Sequence, residues 1–508
     1  MTLKIKSLTL RGANDFSKVV GDVLRSLNVE IVKGATNFDA MEVFNEIIGN
    51  RVVTRLKLIS DGSEACLKTS STVRADERFG AEVNRLVKKN LYKLLVDGFG
   101  LAEIPYGIMH GVRPTKIIQR WLDDGFGVTS HGVIDRDNIS RRLISDFLTE
   151  RDKADLLTEV AIRQLPIIRA SDDHTVSVYV GIPFCRTRCL YCSFPSFVLP
   201  AEDKIAEFMT ALTRDMEAAS DAINRYGLKV QTIYIGGGTP SALPEKFFDE
   251  LLAKVHASFN GAGVEEFTVE CGRPDTITAE KIAAMKNFGV TRVSVNPQTM
   301  NQRTLDLIGR QHTVEDVVWA FNELKAAGDW LINMDLIIGL PGERLADFQA
   351  SLEKVLALKP DDVTIHALAI KRGSRLQMRL ADELNTREDF NLPSDTEVRR
   401  MSEHAAAVLR GENFSPYYLY RQDCMSGQIE NIGWCRRGAE GIYNVQIMGE
   451  RQTILGTGSA ASTKVPNRAA KKILTAFNAK DLTTYLRDTQ RYIDRREKIL
   501  AQVYGGGF

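Results

Sequence analysis

Cysteine is scarce in this chain, seven in 508 residues, and the number is odd and unevenly spread. That pattern excludes an extracellular disulfide framework and fits a reducing compartment, where clustered thiols bind metal or do chemistry. Long apolar runs are missing too: none approaches the roughly 20 residues needed to cross a bilayer, so no membrane span is expected. The opening stretch MTLKIKSLTLRGAND alternates apolar and charged residues and lacks the continuous apolar segment of a secretory signal. Charge of one sign is lacking as well. Lysine and arginine total 66 against 65 aspartate and glutamate, a formal net charge of +1. This balance excludes the basic footprint of a nucleic-acid binder and a polybasic membrane patch. Neither an internal repeat nor a low-complexity tract is present beyond the terminal YGGGF. The expectation is a cytoplasmic protein of roughly two to four domains.

What is present divides into three blocks. Residues 1–150 are expected to form an N-terminal accessory α+β domain. Its alternating runs such as RVVTRLKLIS suit strands, and AEVNRLVKKNLYKLLVDG, residues 81–98, has helical spacing and a terminal glycine. A long helical pattern runs over residues 141–164. Pro114 suits the first turn of a helix; Arg113 and Lys116 beside it either hold an anion at that helix start or are simply solvated there. From about residue 175 strand and helix alternate. The strand candidates are SVYVGIPF, TIYIGG, FTVEC, RVSVNPQ, INMDLIIGLP and DDVTIHALAI, separated by amphipathic segments, which argues for parallel βαβ units with right-handed crossovers. Six strands fall short of the eight of a closed (β/α)8 barrel, so a partial barrel or an open sheet of the α/β class is expected. Residues 373–508 return to a mixed α/β texture, with a tyrosine-rich SPYYLYRQ, a strand-like YNVQIM and a turn LGTGSAAS.

The chemistry concentrates behind the first of those six strands. In YVGIPFCRTRCLYCSF, Cys185, Cys189 and Cys192 have C-x3-C-x2-C spacing. A structural zinc site wants four protein ligands, and no second C-x-x-C pair follows. Three thiolates suit an iron–sulfur cluster with one iron left open. This spacing after a strand resembles the radical S-adenosylmethionine (radical SAM) superfamily, and GGGTP, Gly236 to Pro240 at the end of the second strand, strengthens the likeness. The resemblance implies a 4Fe-4S cluster on the three cysteines and S-adenosylmethionine on its open iron. Glu270, Gln298, Arg310 and Asp335 lie at or near the other strand ends, where a barrel binds its ligands. They supply carboxylates for an ammonium and ribose hydroxyls, and a guanidinium for a carboxylate.

Within the superfamily, VECGRPD, VSVNPQTM, IGRQHT and NMDLIIGLPGE resemble the oxygen-independent coproporphyrinogen III oxidase group over residues 173–372. By motif position that resemblance places Tyr179, Gly237, Gly238, Thr239, Glu270, Gln298, Arg310, Asp335, Ile337 and Ala369 against the cofactor, with Tyr179 and Arg310 as catalytic positions. HGVRPTK, IHALAIKRGSRL, YYLYRQDCMSGQIENIGW and TILGTGSAAS are similar to the HemZ-type subgroup. It implies a coproporphyrinogen dehydrogenase of porphyrin and heme biosynthesis, an anaerobic oxidoreductase converting two propionates to vinyls. An electron donor such as flavodoxin or ferredoxin, a tetrapyrrole substrate and a substrate-proximal role for residues 373–508 follow from the same likeness. One departure separates the relatives: Phe194 stands where the well-characterised oxidases have a fourth cysteine and the related heme chaperones have phenylalanine. The alternatives are therefore a heme-trafficking protein of the chaperone kind, or a radical SAM enzyme acting on another tetrapyrrole. Tyr417, Tyr418, Tyr420, Arg421 and Gln422 either face the porphyrin or pack in the core. Cys424 and Cys435 form a second thiol pair or two unremarkable thiols, and Cys66 and Cys271 are read as structural.

Overall fold

A computed structural model describes residues 3–12, 15–34, 36–60, 63–74, 79–371, 373–381, 390–422 and 425–506. The chain divides into two compact units, residues 1–159 and 160–508. In the first, β1 (Leu3–Gly12), β2 (Val29–Ile31), β3 (Phe38–Ile48), β4 (Arg51–Ser60) and β5 (Ser63–Thr72) form one sheet in the order β2-β1-β3-β4-β5. Helices Ser17–Ser26 and Phe79–Phe99 cover it, and Val20, Val23, Met41, Val43, Leu56, Val87 and Leu91 fill the core between. The pattern read as one helix over residues 141–164 is two. Leu148 turns left-handed at the C-cap of Arg136–Phe147, and a new helix starts at Arg151. Pro114 is the N-cap of helix Thr115–Asp123, and Arg113 and Lys116 are each engaged with other groups.

The second unit carries the α/β core. Its strands are β6 (Thr175–Ile182), β7 (Phe184–Cys185), β8 (Phe197–Val198), β9 (Lys229–Gly237), β10 (Glu266–Glu270), β11 (Arg292–Ser294), β12 (Leu331–Ile338), β13 (Asp362–Ala367), β14 (Ser415–Tyr420), β15 (Asn431–Cys435), β16 (Thr453–Gly458), β17 (Ser462–Asn467) and β18 (Lys472–Phe477). The six expected strands run parallel in the order β6-β9-β10-β11-β12-β13. They read as Val- and Ile-rich runs such as TVSVYVGI, buried along nearly their whole length, because helices leave neither face of a parallel sheet to water. Helices Glu202–Arg225, Glu245–Phe259, Ala279–Asn287, Val314–Ala327 and Leu345–Ala357 make the crossovers. Their starts are written in the sequence. Thr313 accepts from the Asp316 amide at 3.1 Å while Asp316 accepts from the Thr313 amide at 2.7 Å, a reciprocal capping box.

Residues 373–508 build onto the same sheet. On one edge β15 runs antiparallel to β13 and β14 pairs with β15; on the other, β16 lies parallel to β6 and continues into β17 and β18. The β6–β16 seam is close. A Cβ on Gly458 would stand 2.3 Å from the Gly181 carbonyl, and one on Gly181 would stand 2.6 Å from the Ser459 carbonyl; only glycine fits both positions. The stretch YNVQIM, expected as a strand, belongs to helix Ile442–Gly449. Glu266 accepts from the amides of Ile442 and Tyr443 at 2.8 and 3.0 Å, and a carboxylate at a helix start favours the helix over β-propensity. Among the described residues no helix is long and apolar enough to cross a membrane.

Candidate functional site

The thiol loop is held from both sides. β7 follows β6 after Pro183 and pairs with β8, so Cys185 stands on a short ribbon at the C-terminal edge of the barrel. Leu190, next to Cys189, donates its amide to the Ile308 carbonyl at 2.9 Å and accepts from the Leu376 amide at 2.9 Å. Beneath it Leu190 packs with Ile308, Ile337, Leu340, Leu368 and Leu376 in one apolar cluster. Cys189 is buried, and Cys185 and Cys192 are half-buried. Burial pushes the Cys185 thiol up against the hydrogen bond from Thr239 at 3.6 Å, and pushes the Cys192 thiol up against a backbone bond at Phe194. The thiol at Cys185 feels Cys189, and that at Cys192 feels both others. Two guanidiniums answer this negative potential: Arg273 lies 4.0 Å from the Cys189 sulfur, and Arg310, fully enclosed, faces Cys189 and Tyr191.

Among the described residues no three His, Cys, Asp or Glu side chains converge as ligands of a single metal ion. Three thiols that share one field without converging are suited to a cluster, in which each iron takes one sulfur at its own corner. The arginines favour the thiolate form that such ligation requires.

GGGTP docks directly behind this loop. The Gly238 amide donates to the Ile182 carbonyl and the Thr239 amide to the Phe184 carbonyl, both at 2.7 Å. A Cβ on Gly238 would meet the Phe184 carbonyl at 2.4 Å. Gly237 has φ +110°, a left-handed value that glycine tolerates, and its amide donates to Glu270 at 3.0 Å. Glu270 also accepts from the Tyr234 hydroxyl at 2.5 Å. Burial drives the Glu270 carboxyl up to about 7 against those two hydrogen bonds, and Asp335 adds to the rise. Tyr234, Tyr179 and Tyr443 stack as three near-parallel rings, Tyr234 and Tyr443 only 4.4 Å apart. The stack lies beside Glu270, which the Tyr234 hydroxyl holds. Tyr179 thus belongs to the ring stack at Gly237, whereas Arg310 belongs to the thiol loop.

Asp335, on β12, lies 3.4 Å from His366 Nε2 and accepts from Asn333 at 2.7 Å. Burial raises its carboxyl, but the His366 imidazole and the hydrogen bonds outweigh burial and hold it below the usual carboxylate range. The other face of His366 meets the Tyr420 hydroxyl at 3.3 Å. Ile337 lies in the apolar cluster under the thiol loop, and Ala369 bridges to Met425 at the end of β13. From the end of β11 onward, a row of buried polar atoms has no hydrogen-bond partner: Ser294 Oγ, Asn296 Oδ1, Gln298 Oε1 and Arg310 Nε. Gln298 holds φ +69° there. Unsatisfied buried groups cost about 1–3 kcal/mol each, and a polar ligand would complete them. The residues present therefore fit both a cluster and an amino-acid-bearing cofactor.

Several expectations separate here. Tyr417 donates to Asp362 at 2.7 Å and Tyr418 packs beside it, both in the core; of the three tyrosines Tyr420 alone meets His366. Cys66 is exposed on β5, the edge strand of the first sheet. Cys271 is buried against Met285, its thiol driven by burial up to about 12. Cys435 is buried beside Arg163, and Cys424 lies outside the described residues. Arg273, Asn296, Tyr234 and Tyr443 were not singled out from sequence. Asn296 was detectable, since two residues before Gln298 on an extended stretch puts it on the same face.

The Radical SAM superfamily model matches residues 179–355. The oxygen-independent coproporphyrinogen-III oxidase-like protein HemZ of Bacillus subtilis (strain 168) is 36% identical over 405 residues, 78% of this chain and 77% of that one. The heme chaperone HemW of the same strain is 33% identical over 196 residues, 38% of this chain and 51% of its own. Among solved structures, the coproporphyrinogen III oxidase HemN of Escherichia coli, described as a radical SAM enzyme, superposes with a TM-score of 0.51 at 20% identity. It covers 68% of this chain and 78% of that one, which establishes the partial-barrel fold. With a relative matched over most of both chains and the superfamily core matched within it, this chain belongs to the radical SAM superfamily, in the family of the coproporphyrinogen-III oxidase-like HemZ proteins, whose cofactors are a 4Fe-4S cluster and S-adenosylmethionine.

Proposed function

We propose that the chain is an oxygen-independent coproporphyrinogen dehydrogenase, which converts two propionate side chains of a tetrapyrrole to vinyl groups by oxidative decarboxylation. The observation that carries the reading is the row of unsatisfied polar atoms from Ser294 to Arg310, set between the thiol loop and Glu270. In this reading Cys185, Cys189 and Cys192 hold the cluster. The amides of Gly237, Gly238 and Thr239 are already committed within the protein, so GGGTP offers acceptor oxygens, which suit an ammonium. Glu270 completes that ammonium site. Arg310, Gln298 and Asn296 take the carboxylate and ribose of the cofactor, and Asp335, Ile337 and Ala369 flank its far side.

Cys185, Cys189 and Cys192 with the Gly237–Thr239 turn would hold the cluster and the sulfonium cofactor, which would supply hydrogen-abstraction chemistry at this site. The Tyr179, Tyr234 and Tyr443 rings stack beside Glu270, and His366, held between Asp335 and the Tyr420 hydroxyl, marks the end of β13 at which the substrate is to be received. The overall change at each propionate is loss of one hydrogen from the β-carbon, one electron and carbon dioxide. The likeness to HemZ over 78% of the chain supports this substrate class.

The test is an anaerobic assay of reconstituted protein with S-adenosylmethionine, dithionite and coproporphyrinogen III, followed by mass analysis. Loss of two carbon dioxide units per porphyrin, with 5′-deoxyadenosine formed alongside, is expected. Intact porphyrin together with tight, stoichiometric heme binding would replace this reading by the heme-trafficking one that the HemW relatives represent.

A further inference from the structure

One buried guanidinium at the thiol loop has no part in the reading above. Arg273 follows β10 in the stretch ECGRPD and is 2% exposed. Its Nε donates to Asp275 Oδ1 at 3.1 Å, and its Nη1 donates at 2.9 Å to the hydroxyl of Thr187, which stands between Cys185 and Cys189 in the loop. The same Nη1 lies 4.0 Å from the Cys189 sulfur. Nη2 is buried without a hydrogen-bond partner among the described residues. Arg310, by contrast, gives its Nη1 to the backbone carbonyls of Gly272 and Asn296 and is assigned above to the cofactor's carboxylate.

Asp275 decides how much of the Arg273 charge the loop feels. Its Oδ1 meets Arg273 and stands 3.7 Å from His312 Nδ1, and its Oδ2 stands 3.5 Å from Arg186. Burial raises the carboxyl, but His312 and Arg273 outweigh burial and hold it below the usual carboxylate range, so Asp275 is the ionised counter-charge at neutral pH. A lone buried guanidinium would be costly; this pairing puts the cation, not the anion, against the Cys189 sulfur. A neutral thiol is only a weak acceptor. The thiolate of an iron ligand is a charged one, and it gains from a nearby N–H donor as the cluster takes up negative charge.

Resting on the cluster reading above, we propose that Arg273 is a positioning residue acting through Cys189: its fixed guanidinium stabilises the reduced state of the cluster and so raises the cluster's reduction potential, while Asp275 moderates the effect. The couple is one electron into or out of the cluster, with no proton and no bond exchanged on the chain. Hydrogen bonds to the ligand sulfurs and local net charge are the levers that set such potentials, and a guanidinium supplies both without losing its charge at any working pH.

The test is a redox titration of anaerobically reconstituted protein without S-adenosylmethionine, poised with dithionite and read by the electron paramagnetic resonance signal of the reduced cluster. Arg273→Gln removes the cation and is expected to make reduction at least tenfold less favourable, a downward shift of about 59 mV or more for a one-electron couple. Asp275→Asn keeps an acceptor for Arg273 Nε but removes the anion, and is expected to shift the potential upward. A residue that merely held the loop would change iron content in both variants and would not move the potential in opposite directions. The control Arg487→Gln, on the last helix, is expected to match wild type. If Arg273→Gln does not retain iron, Asp275→Asn decides alone. An unchanged or lowered potential in Asp275→Asn, an unchanged or raised one in Arg273→Gln, or loss of iron from both would overturn the proposal. So would a wild-type potential in Arg273→Gln with weakened S-adenosylmethionine binding, which would move Arg273 to the cofactor site. Absence of any dithionite-reducible cluster in wild-type protein would overturn the cluster reading itself, whereas the other outcomes leave that reading intact.

Discussion

Glu270 holds its carboxyl near 7 in the folded chain, against 4.5 for the free group. Between these values the folded chain keeps a proton that the unfolded chain has released, so the stability contributed by this group is complete below pH 4.5 and is lost as pH rises toward 7. At about 1.4 kcal/mol per unit the loss is of order 3 kcal/mol. Glu270→Gln cannot ionise, so subtracting its unfolding free energy from that of unliganded wild type at each pH should leave a difference that falls across this window and flattens above it; a constant difference would refute the assignment. An ammonium beside Glu270 reverses the preference and favours the carboxylate. Binding of S-adenosylmethionine should therefore release a proton below pH 7 and tighten as pH rises toward 7, then level off. Calorimetry in buffers of different ionisation enthalpy reads the proton directly, and Glu270→Gln should bind weakly with no proton release. The three cysteines make a second prediction at this scale. Replacing Cys185, Cys189 or Cys192 singly by Ala should remove the cluster's visible absorption and all cofactor cleavage, and a variant that kept both would place the cluster elsewhere.

Among the elements, the GGGTP turn is where backbone geometry and site chemistry depend on each other. Gly238 lies so close to Phe184 that a methyl group would overlap its carbonyl oxygen and carbon, at 2.4 and 2.9 Å. Both atoms are backbone, so the contact is relieved only by moving β7, and Cys185 with it. Gly238→Ala should destabilise the protein by about 1–3 kcal/mol and lower iron content after reconstitution. Gly261→Ala, with open space around its Cβ, is the matched control. Iron loading equal to wild type in Gly238→Ala would show that the turn does not set the loop.

The same elements show what the sequence can and cannot express. The six parallel strands were legible because burial on both faces leaves Val- and Ile-rich runs, and the thiol loop because ligation fixes its spacing. The helix Ile442–Gly449 was not. YNVQIM is β-prone, and its helical form is decided by Glu266, 176 residues away from Ile442 in the chain. The spacing of the tyrosines in SPYYLYRQ separates Tyr417 from Tyr418 and Tyr420 but does not say which face is the core; Tyr417 meets Asp362 there and Tyr420 meets His366 at the site. Which face of the strand turned inward was set by pairing with β15, a long-range contact that local periodicity does not carry.

At the scale of the whole second unit, the C-terminal segment is locked to the barrel by one buried charge. Asp215, fully buried on helix Glu202–Arg225, accepts from Arg496 at 2.5 Å, Tyr485 at 2.9 Å, the Gly458 amide at 2.9 Å and Asn478 at 3.2 Å. These four partners come from β16, from the stretch after β18 and from the last helix, Leu482–Tyr504. Gly458 ends β16 against Gly181 of β6, the strand that leads into the thiol loop, so the network supports the site through two layers of backbone. Removing one partner of such a pair leaves an uncompensated charge in the interior, which costs about 3–5 kcal/mol, whereas replacing both by apolar residues costs far less. Arg496→Met should therefore lower the denaturation midpoint sharply and reduce cluster retention, while Asp215→Leu with Arg496→Met should recover much of the loss. The double variant also discards the bonds from Tyr485, Asn478 and the Gly458 amide, so recovery should stop short of wild type. If the single variant unfolded like wild type in urea, the last helix would be a passive cover, and the barrel's first strand would owe its position to β9 and β16 alone.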